Sequence, residues 1–128
     1  MKRMGKSAAT AGIALVAIAG LSGCGGKPDG CRPLGGEVAQ AIEGGATGDL
    51  TLHEASGQAI EAASGVYYVA YKVTAAGADG TAVWALNEVN PPGAIRSVDG
   101  FAQQFTRWPT LPGANGSDTA SEALACLG

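Results

Sequence analysis

Few side chains in this 128-residue sequence are of a type that does chemistry: three cysteines, Cys24, Cys31 and Cys126, and a single histidine, His53. A cysteine serves as nucleophile, metal ligand or half of a disulfide, and an odd number leaves one sulfur to explain. As a general base, His53 would need a hydroxyl to activate and an acid to orient it. No Gly-x-Ser-x-Gly elbow supplies that hydroxyl, and the adjacent Glu54 would point elsewhere on a strand or a helix. A solvated surface histidine is therefore expected. Glu88 and Asp99 flank one turn region, and a hydrolytic carboxylate pair must face across a cleft about 5–10 Å wide. A helix cap at Asp99 and a surface position for Glu88 account for both. With no Cys-x-x-Cys spacing and no second histidine, neither a metal site nor an enzyme is expected.

Seven aromatic residues lie in the second half of the chain: Tyr67, Tyr68, Tyr71, Trp84, Phe101, Phe105 and Trp108. Most are needed for a core. Tyr68 and Trp108 stand out as candidates for exposure, and as an exposed pair they would form a sugar or peptide platform. Asn115-Gly116-Ser117 has the spacing of a glycosylation acceptor and reads more simply as a turn.

The surroundings of Cys24 are more specific. Residues 1–6 carry Lys2, Arg3 and Lys6 and no acid, and Ser7–Gly23 is an uncharged run of 17 residues. At about 1.5 Å per residue such a helix barely crosses a hydrocarbon layer of roughly 30 Å. The small residues before Cys24 suit a peptidase. Leu21-Ser22-Gly23-Cys24 resembles the lipobox of bacterial lipoprotein precursors, Leu21 at the apolar position, Ser22 and Gly23 at the small ones, and Cys24 at the modified one. The resemblance implies diacylglycerol on the Cys24 thiol, cleavage before it, and room for an N-acyl chain. That covalent lipid is the only cofactor expected, and Lys2-Arg3 favours the general secretion route over the twin-arginine one. An uncleaved membrane anchor and an ordinary secretory signal with a chance cysteine are the alternatives.

If Cys24 takes the lipid, Cys31 and Cys126 remain as an even pair in an oxidising compartment. Their bond is expected, with two free thiols as the alternative. It would close a loop of nearly the whole domain, about 4–5 kcal/mol in the chain-entropy model.

Removing residues 1–23 leaves 105 residues, enough for one domain with a thin margin of stability. Three of the 8 basic residues leave with that segment, so 5 face 11 acids, a balance of −6. That charge argues against nucleic acid as a partner and against an electrostatic grip on anionic lipid. The expected partners are the membrane, through the lipid, and a protein or envelope component. The mature chain keeps 17 of the 21 glycines and all 6 prolines, which points to short elements joined by many turns.

Residues 24–36 read as the lipidated cysteine and a Gly/Pro-rich tether, with a single domain over 37–128. Glu37–Glu43 predicts a two-turn helix stopped by Gly44-Gly45. Asp49–Ser64 is ambiguous: a strand-like start, then irregular or partly helical chain weakened by Gly57. Val66–Thr74 is the clearest strand, with Tyr67, Val69, Tyr71 and Val73 inward and Lys72 marking the wetter face. After a loop over Ala75–Gly80, Thr81–Val89 pairs with it as a hairpin, and Ala94–Val98 supplies a third strand. Asp99 reads as an N-cap, opening a helix whose face runs through Phe101, Ala102 and Phe105 to Trp108. Thr110–Gly116 is loop. Thr119 and Glu122 suggest a capping box for a last helix with Ala120, Ala123, Leu124 and Leu127 inward.

The expectation is an α+β fold: a small three-stranded antiparallel sheet packed with two or three short helices. From Val66 onward, and most of all in Val98-Asp99-Gly100-Phe101-Ala102 with Phe105 and Trp108, the chain resembles small actinobacterial lipoproteins of uncharacterised function. The expected function is a lipid-anchored extracytoplasmic lipoprotein acting as a non-enzymatic binding or envelope-associated module. A small cell-surface hydrolase or hydrolase inhibitor is the alternative.

Overall fold

The structure, a computed structural model, describes residues 27–62 and 65–128. The expected export signal, residues 1–23, and Cys24 lie outside the described residues. In chain order the elements are β1 (Arg32–Pro33), α1 (Gly36–Glu43), β2 (Leu50–Leu52), a 3-10 turn (Glu54–Ser56), β3 (Gln58–Glu61), β4 (Tyr67–Ala75), β5 (Ala78–Leu86), β6 (Ile95–Ser97), α2 (Gly100–Phe105) and α3 (Asp118–Ala125).

The fold is α+β, and its antiparallel sheet has six strands where three were expected. The order is β1-β3-β4-β5-β6, with β2 also on β4. β2 and β3 share one edge of β4: Leu50–Leu52 lie opposite Val73–Ala75, and Gln58–Glu61 opposite Tyr67–Ala70. Ser56 stitches the break between them. Its hydroxyl donates to the His53 carbonyl at 2.6 Å and accepts the Lys72 amide at 2.9 Å. Gly57 passes directly over the Tyr71 ring, where a Cβ would collide. These extra strands have two to four residues each, too few for alternation to announce them.

β4 and β5 pair over nine residues from Tyr67↔Leu86 to Ala75↔Ala78. The predicted six-residue loop shrinks to Ala76-Gly77, with φ of 52° and 80°. Both lie in the left-handed region, as a two-residue hairpin turn of matching twist requires.

Alternation along this hairpin sets two cores. One face carries Val69, Tyr71, Val73 and Ala75 with Ala82, Trp84 and Leu86. α1 covers it with Val38, Ala39 and Ile42, and α2 with Ala102. The other face, expected to be the wetter, is buried along most of its length. Tyr68, Ala70, Val83 and Ala85 lie under α3, whose Ala120 and Ala123, followed by Cys126, pack against them. Lys72 marks only the end of that face which α3 does not reach.

The Asp99 cap is as expected: its Oδ1 accepts the Ala102 amide at 2.9 Å. The helix that it opens stops at Phe105, short of Trp108. Beyond it the chain runs beside residues 45–47, with the Thr47 amide on the Phe105 carbonyl and the Arg107 amide on that of Gly45, both at 2.8 Å. The cap of α3 is Ser117, whose Oγ accepts the Ala120 amide at 3.2 Å, in place of the predicted Thr119.

Cys31 and Cys126 form a disulfide with Cα atoms 5.7 Å apart and a sequence separation of 95. The folded body therefore starts inside the predicted tether. Cys31 is bonded, Arg32–Pro33 pair with Gln58–Ala59, and the Leu34 amide donates to the Gly57 carbonyl at 3.1 Å.

Candidate functional site

Tyr68 and Trp108 do not form a platform. Tyr68 is only 9% exposed and belongs to the core beneath α3. Its accessible part lines a shallow cleft of about 260 Å³ with Val66, Leu111, Pro112, Gly113 and Ala114. Trp108 packs on the opposite core, its indole lies against Gly45, and its Nε1 donates to the Ile42 carbonyl at 2.9 Å. The two rings belong to the cores on opposite faces of the sheet.

Nor do Glu88 and Asp99 share one setting. The Asp99 carboxylate is spent on capping α2. Burial pushes its pKa upward, against the lowering effect of backbone hydrogen bonds from Ala102, Val83 and its own amide. Glu88 sits in the exposed loop after β5.

His53 does meet a hydroxyl. Its Nε2 lies 2.8 Å from Thr74 Oγ1, which donates to Asp79 Oδ1 at 2.9 Å. The strands explain the row: Thr74 and Asp79 are cross-strand partners on β4 and β5, and His53 follows β2, which flanks β4 on the other side. With the single hydroxyl proton committed to Asp79, the ring nitrogen must be the donor. That direction is the reverse of what a histidine base needs to activate a hydroxyl. The row lies on the uncovered end of the α3 face, beside Lys72 and Thr81, which with His53 and Asp79 line an open hollow of about 290 Å³. The chain Nε2–H···Oγ–H···Oδ ties three strands together.

A further concavity lies at the other end of the sheet. A trough of about 360 Å³ is lined by Arg32, Pro33, Leu34, Ala59, Tyr67, Glu88, Val89 and Asn90. It continues past Gly35 and Glu37 at the start of α1. Local bonds hold both walls. On one side β1 is pinned by its pairing with β3 and by the neighbouring disulfide. On the other, Asn87 Oδ1 accepts the Ala94 amide at 2.8 Å and the Glu88 carbonyl accepts the Gly93 amide at 2.9 Å. The Arg32 guanidinium lies over the Tyr67 ring, 5.4 Å from its centroid. Such stacking holds a guanidinium plane while leaving its in-plane donors open. From the sequence, Glu88 is weighed only against Asp99 as a carboxylate pair and left at the surface, and Arg32 falls within the tether. Their convergence depends on β1, a two-residue strand.

Among the described residues no cluster of three or more His, Cys, Asp or Glu is placed to hold a metal ion. No helix of the described residues is long and apolar enough to cross a membrane. No family model matches the chain, and no curated protein and no solved structure is significantly similar to it.

Proposed function

We propose that this protein is a lipoprotein held at the extracytoplasmic face of a membrane through acyl chains on Cys24, where its domain binds a ligand or an envelope partner without catalysing a reaction. The Cys31–Cys126 bond is the observation that carries this reading. It fits an oxidising compartment and uses two of the three sulfurs, leaving Cys24, behind its basic and apolar leader, as the thiol to be acylated. A single buried chain binds only transiently, whereas two anchor stably at about 0.8 kcal/mol per methylene.

The disulfide also sets the length of the leash. Cys31 is seven positions after Cys24, so at about 3.3–3.6 Å per extended residue the body stays within roughly 25 Å of the anchor. The trough beside Arg32 is at this end of the sheet, and the Ala76-Gly77 turn with the His53 row is at the other. Radiolabelled fatty acid supplied to producing cells should enter the protein and be lost with Cys24→Ala. Undiminished labelling of that variant contradicts the anchor.

A small hydrolase is the second reading, favoured by the contact of His53 with Thr74. The proton direction in that row opposes it, and Thr74→Ala would abolish any such activity. A hydrolase inhibitor would need a projecting loop. Residues 110–116 instead lie against the body: Leu111 donates to Ser97 at 2.9 Å, and Ala114 is buried.

A further inference from the structure

We propose that the trough between β1 and the 87–94 loop binds a small zwitterion, with its ammonium on Glu88 and its oxyanion on Arg32. The proposal rests on the reading of the domain as a binding module and names what it binds. At about 360 Å³ the trough lies at the lower end of the range for small-molecule sites, roughly 300–1,000 Å³. That suits an amino acid or a phosphoethanolamine group better than a polymer.

The lining gives the chemistry. One cation and one anion, Arg32 and Glu88, border the same cavity, and the neighbour of the guanidinium is an aromatic ring. An anionic ligand would meet Glu88 and Glu37, and a cationic one would meet Arg32. A ligand carrying both charges satisfies both groups. The guanidinium fork matches a carboxylate or phosphate in two-point contact, and Asn90 adds an amide able to donate and accept. Pro33, Leu34, Ala59 and Val89 add an apolar lining to the same trough, suited to a short aliphatic body. Pro33 lacks an amide hydrogen, so the exposed edge of β1 is a poor template for an added peptide strand.

Free amino acids and the headgroup of an ethanolamine phospholipid share this chemistry, and the second is abundant at a membrane surface within reach of the leash. The test uses the full chain in neutral detergent micelles, titrated with leucine and with O-phosphoethanolamine, followed by amide shifts of Arg32, Tyr67, Glu88 and Asn90. Saturable binding of at least one is expected. N-acetyl-leucine and leucinamide, each lacking one charge, should bind at least tenfold more weakly than leucine. Glu88→Gln and Arg32→Gln should each weaken the zwitterion by at least tenfold, and Lys72→Gln should leave it unchanged. Vesicles of phosphatidylethanolamine that compete with the soluble ligand identify the headgroup as a source, and vesicles that do not leave the free solute. Absence of saturable shifts at millimolar ligand, equal binding of the blocked compounds, or indifference to both trough variants overturns the proposal. Solute binding does not require acylation, so the mass of Cys24 on the same preparation scores the anchor separately.

Discussion

On the side of the sheet covered by α1 and α2, space is filled by large side chains: Trp84, Tyr71, Ile42, Leu86 and Val38 are fully buried. On the side covered by α3 the sheet offers Tyr68 and Val83 along with Ala70 and Ala85, and the helix itself buries only two alanines, Ala120 and Ala123. The first side also holds a polar knot. Trp84 Nε1 donates to Thr106 Oγ1 at 3.2 Å, Thr106 donates to the Ala102 carbonyl at 2.6 Å, and Ser97 Oγ bonds Thr106 at 3.0 Å. The second side has a covalent tie, Cys126 to Cys31. Apolar burial scales with area, so an eight-residue helix that buries only two alanines of its own gains little from packing, and the disulfide supplies what that face lacks. The pair Cys31/Cys126 is therefore a structural part of the second core.

The largest effect should come from removing that tie. Cys31→Ala with Cys126→Ala is expected to cost about 4–5 kcal/mol from a loop of this length, read by urea denaturation. Amide exchange should rise first in α3 and β1, with the amides around Trp84 protected for longer; uniform loss of protection would break the comparison. Ala123→Leu comes next. With no room between helix and sheet, overpacking should cost about 1–3 kcal/mol, whereas unchanged stability would mean that α3 is free to lift. On the other face, Thr106→Val leaves the buried Trp84 indole N–H without its acceptor, and about 1–3 kcal/mol should be lost in thermal melts.

These contrasts also explain how far the sequence could be read. Asp99 as a cap, the β4–β5 hairpin, α1 and the pairing of Cys31 with Cys126 follow from signals within a few residues or from cysteine chemistry, and all are present. The strand at Arg32–Pro33 was absorbed into a tether because two residues have no period, and with it went half of the trough. In the sequence, Lys72, four positions along the same strand face, is what marks Tyr68 as lying on the wetter side. That inference fails because α3, some 50 residues downstream, covers one end of the face and leaves Lys72 beyond its reach. Trp108 looked like the end of an amphipathic face, and Gly45, distant in sequence, is what makes room for its ring.

Two smaller measurements sharpen the account. The Tyr71 hydroxyl is fully buried without a hydrogen-bond partner among the described residues, and burial, then Glu54 and Glu43, push its pKa far above the usual phenol range. Tyr71→Phe removes that unpaired group and should raise stability by up to about 1 kcal/mol. A loss of similar size would show that the hydroxyl is paired in solution. Asp99 sets a pH dependence. Its folded pKa is raised, so its contribution to stability is complete below the unfolded value of about 3.9 and declines as pH rises through the folded one. Asp99→Asn keeps a capping side chain and should abolish that decline, visible as a stability difference from the parent that changes across this window and is flat above it.

The most direct test of the central claim is the intact mass of the protein extracted from the membranes of cells that make it. The expected chain begins at Cys24 and is heavier by its acyl groups and lighter by the two hydrogens lost on joining Cys31 to Cys126. A chain still carrying residues 1–23 with an unmodified Cys24, or one with alkylatable thiols at Cys31 and Cys126, would contradict it.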